Sequence, residues 1–447
     1  MKEHYKESGV NWIGKIPLHW SMSKIGHLYE VQLGKMIQPE RKLETDKNVP
    51  YLKAINVQDT GLVYDTQHKM YASSSDLTKY DIEKGDLLVC EGGEIGRSAL
   101  VKKEYKEFIF QNSLHRIRSI SNNVQFLHYI MQAIRNSGYI NVLVNRLTIA
   151  HLTREKLVNV KVAVPSKSEQ DLIVSFLNRK TSEIDTLIED KEKLIQLLEE
   201  KRQAIITEAV TKGLDPDVQM KDSGVEWIGE IPKHWTTSKI KYLSNHHLIY
   251  GANASAELDD EDLPRYIRIT DIDKNGDLRD ETFKSLTKDI ASKYPLKKGD
   301  ILFARSGATV GKTYIHQENS ISTYAGYLIK FQSDTNKINP NFLYYYTKSF
   351  YYEKWIEANT IQATIENISA EKYKNMLIPY PPTGEQHSIV EFLESHTADN
   401  YALLKELENQ IHKLKEYRQA LIYEAVTGKI DVQEMLKETE QEEVSSS

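Results

Sequence analysis

A chain of 447 residues, 40% hydrophobic and 27% charged, has the composition of an ordinary soluble protein and the length for two or three domains. Its single cysteine, Cys90, excludes an internal disulfide and a multi-cysteine zinc site; no apolar run reaches the roughly 18 residues that span a bilayer, and the opening MKEHYKESGV lacks a signal peptide's apolar core, so a reducing, cytoplasmic setting without a membrane partner fits. The net charge of −6 disfavours a polyanionic partner only on the surface of it, because residues 431–447 hold six acids and one lysine and so carry −5 of the total.

The first element is SGVNWIGKIPLHW (residues 8–20), a turn-rich entry marked by Gly and Pro, in which Trp20 reads as a packing anchor. Strand-like runs follow, YLKAINV (51–57) and DLLVC (86–90), the second introduced by Lys-Gly-Asp. From Lys24 to Lys161 there are 20 Lys and Arg against 15 Asp and Glu, a surplus of 5, which permits nucleic-acid binding without arguing for it. Proline in VAVPS (162–166) brakes the chain. A helical pattern then runs from about residue 168 to 210, with Leu177, Ile184, Leu187, Leu194, Leu198 and Ile205 along one side. Gly213 and Asp215-Pro216 break it.

The chain then repeats itself. SGVEWIGEIPKHW (223–235) matches the opening run at ten of thirteen positions, and Trp227 minus Trp12 is 215; Trp235 is the second packing anchor. YIRIT (266–270) is strand-like and aligns Tyr51 with Tyr266, Lys53 with Arg268 and Gly61 with Gly276. The matching segment, Lys239 to Lys374, holds 19 Lys and Arg against 18 acids. Lys-Gly-Asp returns at 298–300. NFLYYYTKSFYYEKWIEA (341–358) is helical, its dense aromatics reading as core. IPYPP (378–382) is the second proline brake. A second long helical pattern runs from about 385 to 426, with Leu407, Leu414 and Leu421 seven apart, and Leu404, Ile411 and Ala425 likewise, Arg418 filling the missing slot. EKRQAIITEAVTKG (200–213) and EYRQALIYEAVTGK (416–429) close the two copies. A period this long excludes a solenoid, whose units run roughly 20 to 50 residues; it marks a tandem duplication with an internal pseudo-twofold. Each long helix spans roughly 60 Å, and neither is apolar all round, so each needs a partner, the nearest being the other.

Two motifs invite over-reading. SGATVGKT (306–313) resembles a phosphate-binding P-loop with Ser306 in place of the first glycine; its counterpart GGEIGRS (92–98) is one residue shorter and carries Arg97 for the lysine. What both copies keep is a Gly-rich backbone followed by a cation and a hydroxyl, which suits close approach to phosphate as well as a plain tight turn. DIDKNGDLRDET (271–282) resembles a calcium loop but has Thr282 where a bidentate Glu is required, so a turn is favoured. There is no Asn-Pro-Pro-aromatic motif, no Gly-x-Gly cofactor loop, no helicase box and no His-Glu-x-x-His, which lowers the case for an enzyme.

Taken together, WIGxIPxHW, the Lys-Gly-Asp strand with its Gly-rich loop, the proline brake with Glu-Gln (Glu169–Gln170, Glu385–Gln386) and the long helix ending in RQAIITEAVTKG resemble the DNA specificity subunit of type I restriction-modification enzymes, over about residues 8 to 430. The resemblance implies α/β (α+β) target-recognition domains in two copies, each reading half of a split DNA sequence, joined by two long antiparallel coiled-coil helices. On that plan residues 1–166 are the first recognition domain, 167–213 the central spacer helix, 214–383 the second recognition domain, 384–428 the C-terminal spacer helix and 429–447 an acidic, disordered tail. It also implies a non-catalytic chain, free of cofactor and metal, on double-stranded DNA. Two methylation subunits and two restriction subunits would bind it and carry the S-adenosylmethionine, ATP and magnesium chemistry of an adenine methyltransferase and ATP-dependent endonuclease.

Arg and Lys suit guanine edges and phosphates. The candidate DNA contacts are Lys35, Lys53, Arg97 and Arg116 in the first reader, and Arg268, Arg305, Ser306 and Lys312 in the second, with the paired positions Lys53/Arg268 and Arg97/Lys312 foremost. The competing readings are a nucleotide hydrolase using the loop at Ser306, and an adaptor scaffold whose helices bind partner helices without DNA.

Overall fold

The computed structural model describes residues 5–105, 107–144, 151–273, 275–319, 321–360 and 367–436. The chain divides into two compact units, one of residues 1–191 with 409–447, the other of residues 192–408. Each unit therefore takes one end of each of two long helices, Lys167–Lys212 and Thr383–Val426.

In the first unit a four-stranded antiparallel sheet has the order Ser98–Leu100, Leu87–Cys90, Leu114–Ser119, Tyr29–Leu33. In the second unit the order is Thr313–Ile315, Ile301–Ala304, Leu328–Phe331, Ile249–Tyr250, strand for strand the same. The central strands read LLVC and ILFA and are buried at every residue, as a short unbroken apolar run dictates. The Lys-Gly-Asp ahead of each makes the entering turn. Gly85 and Gly299 adopt φ of 97° and 87°, a region open to glycine, and the aspartate caps the turn: Asp86 accepts the Glu83 N–H at 2.7 Å and Asp300 the Lys297 N–H at 2.9 Å.

A parallel strand pair sits beside each sheet. Tyr51 and Leu52 pair with Ile109 and Phe110 in the first unit, and Arg265–Ile267 with Ser322–Tyr324 in the second. The proline-brake strands Lys161–Val164 and Leu377–Tyr380 pair antiparallel with the strands after the tryptophans, Ser21–Lys24 and Thr236–Lys239.

The aromatic run expected as one helix is two, Pro340–Tyr346 and Phe350–Thr360. Between them Thr347 and Ser349 turn their hydroxyls onto the Tyr344 and Tyr346 carbonyls at 2.6 and 2.7 Å, a local competitor to helix propagation. Its aromatics are core as expected: Phe342, Tyr346, Tyr352 and Trp355 join Trp235, Phe303, Phe331 and Tyr373 in one buried cluster.

The long helices pack antiparallel within each unit. In the first, Arg418 pairs with Asp185 at 2.8 Å and Lys191 donates to Gln410 at 2.7 Å; in the second, Ile206, Ala209 and Val210 share the core with Ile389, Val390 and Leu393. The heptad stripe needs one correction. Leu187 and Leu194 are exposed, while Ile173, Leu177, Thr181, Ile184 and Ile188 are buried. From Leu177 the spacings of 4, 3 and 4 are those of a heptad seam, with Leu177 and Ile184 at one position and Thr181 and Ile188 at the other. Within the acidic segment from residue 429, Val432 is buried and Lys429 donates to the Lys15 carbonyl at 2.7 Å; residues 437–447 lie outside the described residues.

Candidate nucleic-acid interface

In each unit the central strand leaves the sheet through a glycine-rich turn and returns as its antiparallel neighbour. Cys90 N–H bonds to the Arg97 carbonyl and Ala304 N–H to that of Lys312, both at 2.8 Å. Gly96 N–H returns to Cys90 at 2.9 Å and Gly311 N–H to Ala304 at 3.0 Å. Both glycines must be glycine. Their φ values are 76° and 84°, and a Cβ would meet Ile140 at 2.8 Å or Ile356 at 2.9 Å. The extra residue of the second copy is taken up in a single 3-10 turn, Gly307–Thr309. Arg97 and Lys312 thus hold equivalent backbone positions, and neither side chain has an acidic partner among the described residues.

A second equivalence lies at the end of the parallel strands. Lys53 and Arg268 each precede a 3-10 turn, Ala54–Asn56 and Ile269–Asp271. Each donates its backbone N–H to the turn's third side chain, Asn56 at 2.9 Å and Asp271 at 2.8 Å. Amide against carboxylate decides the fate of the cation. Arg268 folds back on Asp271 with bonds of 3.0 and 2.6 Å and on the Thr282 carbonyl at 2.6 Å, so its fork is committed. Lys53 faces a neutral amide, and its ammonium makes no hydrogen bond or ion pair to a described residue. In the first unit Arg97 reaches this turn, its guanidinium 3.4 Å from the Ala54 carbonyl.

The remaining candidates separate. Arg305 spreads its guanidinium 4.7 Å over the Tyr250 ring, without an acidic partner among the described residues. Ser306, beside it, bridges to Asn367 through the backbone. Lys35 is a correction: its ammonium pairs with Asp76 at 2.9 Å and donates to Gln38 at 3.1 Å, with a side chain only 12% exposed. Arg116 is another. Its side chain is 5% exposed, bound to the Asp81 carboxylate and to the Asp81 carbonyl at 2.7 Å, and it lies 5.6 Å over Phe110. The cause is its strand position, which in the second copy holds Lys330. That residue is likewise buried, donates to the Pro295 carbonyl at 2.8 Å and lies 5.8 Å over Tyr324. A buried cation at this position belongs to the frame: Lys330 lies 3.7 Å from the Lys-Gly-Asp aspartate Asp300, while in the first unit Arg116 is held by Asp81 and the half-buried Arg118 binds Asp86 at 2.7 Å.

Beside these cations both units bring a backbone into contact at a glycine. A Cβ on Gly34 would fall 2.2 Å from the Gln111 carbonyl, and one on Gly251 2.2 Å from that of Tyr324. The sequence reading missed what this approach assembles: Glu91 with Gln111, Asn112, Ser113 and His151 around an open recess in the first unit, and half-exposed Tyr250 with exposed Tyr327 in the second. Aligning the copies on Lys-Gly-Asp, at a shift of 214 rather than 215, would have paired Glu91 with Arg305 and Arg116 with Lys330.

Neither over-read motif has the geometry of its namesake. The loop at Ser306 joins two antiparallel strands, whereas a P-loop runs from a strand into a helix. Asp271 is bound to Arg268, and Asp273 accepts the N–H groups of Asn275 and Asp277, both at 2.8 Å, as a turn does. Burial pushes the Cys90 thiol up to about 11, so it is no thiolate nucleophile. Among the described residues no helix is long and apolar enough to cross a membrane.

Comparison with known proteins agrees with this duplicated frame. The type I restriction modification DNA specificity domain matches residues 17–197 and again 232–413. The specificity subunit of type I restriction enzyme EcoBI from Escherichia coli is 24% identical over 320 residues, 70% of this chain and 66% of that one. The MjaVIII specificity subunit of Methanocaldococcus jannaschii is 24% identical over 97% of this chain and 98% of its own. In fold, the chain is similar, with a TM-score of 0.69 and 15% identity over 93% of its length and 99% of the other's, to a structure solved for complex assembly and conformational transition of a type I R-M system. With both halves matched, the chain belongs to the family of type I restriction-modification DNA specificity domains and carries that domain twice.

Proposed function

We propose that this chain is the sequence-specific DNA-binding subunit of a type I restriction-modification complex, reading a bipartite target through two recognition domains and scaffolding methylation and restriction subunits. The observation that carries the reading is the duplication itself: one frame, held by the same hydrogen bonds in both units, presents two different sets of side chains. Two unlike readers suit two unlike half-sites. The division into recognition domains at 1–166 and 214–383 and spacer helices at 167–213 and 384–428 follows from the same reading. So do two copies of each partner subunit, and a cytoplasmic complex.

The electrostatics support it. Arg97 and Lys312, on equivalent loops of the two sheets, make no ion pair to a described acid, and Lys53 makes none either, although Asp65 lies within its field; cations so placed neutralise phosphates and release counterions. In this reading the chain supplies no chemistry. S-adenosylmethionine, ATP and magnesium act on the partners, which perform adenine methylation and ATP-dependent cleavage. The test is reconstitution. The purified chain should neither transfer methyl groups nor hydrolyse ATP, and with methylation subunits it should direct adenine methylation to one split sequence. Methyl transfer by the chain alone, or unspecific methylation by the complex, would overturn the proposal.

A further inference from the structure

We infer that Glu91 and Arg305 are the paired specificity-determining residues of the two readers, Glu91 accepting from an exocyclic amino group of cytosine or adenine and Arg305 donating to guanine. The inference rests on the DNA-reading function proposed above and names the side chains that execute it.

The two residues occupy one position of the frame. Each is the first residue after the central strand. Glu91 N–H donates to the Ser113 carbonyl at 2.9 Å and Arg305 N–H to the Tyr327 carbonyl at 3.1 Å. Each carbonyl in turn accepts a backbone N–H from the far side, Leu152 on Glu91 and Ile368 on Arg305, both at 2.8 Å. Three segments are thereby locked around each residue, so its side chain departs from a rigid platform, as precise readout requires.

The frame fixes the backbone here and leaves the side chain free to vary, and what varies is the sign of the charge. Arg305 stacks on Tyr250, and its Nε is buried without a hydrogen-bond partner; a planar fork held on an aromatic ring is oriented for the O6 and N7 acceptors of guanine. Glu91 faces the recess shared with Gln111, Asn112, Ser113 and His151. It stands six residues before Arg97, on the loop whose cation suits a phosphate. A carboxylate so close to a polyanion repels it, and the repulsion is offset where an amino N–H of cytosine or adenine meets the carboxylate oxygens. The same charge rejects guanine and thymine, which present only acceptors in the major groove.

The test measures target sequence rather than affinity. The full chain is reconstituted with its methylation subunits, and methylated sequences are determined across a genome for the wild type, Glu91→Gln, Glu91→Arg, Arg305→Gln and Arg305→Lys. Methylation of a split target by the wild type checks the underlying function separately. Given that target, Glu91→Gln should relax one cytosine- or adenine-bearing position in one half-site, with discrimination falling about tenfold or more. Arg305→Gln should relax one guanine position in the other half, with Arg305→Lys retaining part of the preference. Glu91→Gln is isosteric, so should Glu91→Arg not fold, the first substitution still decides. The inference is overturned if both half-sites keep their wild-type preference, if every position relaxes equally, if Glu91 and Arg305 substitutions relax the same half-site, or if the pair relaxed by Arg305→Gln is A·T rather than G·C.

Discussion

Trp235 donates its indole N–H to the Glu385 carboxylate at 2.9 Å, and Trp20 makes the same bond to Glu169 at 2.8 Å. These contacts explain why His-Trp and Glu-Gln recur in both copies. The histidine ahead of each tryptophan faces the same carboxylate, at 2.9 Å for His234 and 3.3 Å for His19. The glutamine after each glutamate accepts the N–H of the helix-capping residue, Asn339 at 2.7 Å and Asn123 at 2.9 Å. Each long helix ends against this clamp: a Cβ on Gly213 would lie 3.3 Å from Trp235, and one on Gly428 3.2 Å from Trp20. Replacing Trp235 by Phe should destabilise the second unit by about 1–3 kcal/mol, since the buried partner of a charged acceptor is lost. Urea unfolding of the purified chain measures it, and an unchanged midpoint would show that the bond is incidental.

His128 makes stability depend on pH. Burial, with the charges of Arg418 and Lys102, pushes its imidazole down to about 4. Its Nε2 accepts from the Gln132 amide at 2.7 Å, and Nδ1–H donates to Ser98 at 3.0 Å, an arrangement for the neutral ring. The unfolded chain, with an ordinary value near 6.5, binds the proton first as pH falls. Stability should therefore be full above about pH 6.5 and decline towards pH 4, by on the order of 2 kcal/mol. His128→Gln should flatten that part of the profile in denaturant titrations from pH 4 to 7.

Neutralising Lys53, Arg97 or Lys312 should weaken DNA binding by the reconstituted complex uniformly across sequences and lower the salt slope by about one charge each, whereas Arg305→Gln should relax one base pair and leave the slope nearly unchanged. Thermal stability should barely move. Arg116→Met should behave oppositely, destabilising the first unit by about 2 kcal/mol because it strips a charged hydrogen bond from Asp81. Filter binding at several salt concentrations, with thermal melts, separates the two classes.

Asn56→Asp converts the first reader's turn into the second's. The new carboxylate should capture Lys53 as Asp271 captures Arg268, reducing affinity and salt slope as Lys53→Gln does, while the fold tolerates or gains from the pair. Affinity equal to that of the wild type would show that Lys53 stays clear of the phosphates.

The frame was legible because it is repeated. The tryptophans, the Lys-Gly-Asp turns, the proline brakes and the long helices all stand twice in the sequence, and their roles are local or apolar. The site was legible only in part. Arg97 and Lys312 are marked by glycines that fix their loops. Lys53 and Arg268 looked alike until a residue three positions on, Asn or Asp, decided which cation is free. Arg116, within a central strand, and Lys35, just past an edge strand, turn their charges inward onto Asp81 and Asp76, and burial cannot be read from charge. Glu91 carries no mark in the sequence, because an acid is not the residue type that suggests a phosphate or guanine contact. Leu187 and Leu194 also stand seven apart, but they flank the buried seam of Leu177, Thr181, Ile184 and Ile188, and spacing alone does not say which edge of a stripe faces the partner.

The most direct measurement exchanges one reader. Residues 22–164 are replaced by the matching segment of another family member, the chain is combined with its methylation subunits, and the methylated sequence is determined. The account predicts that one half of the split target changes while the other half stays as it was. A change in both halves, or in neither, would contradict the claim that two independent readers share one frame.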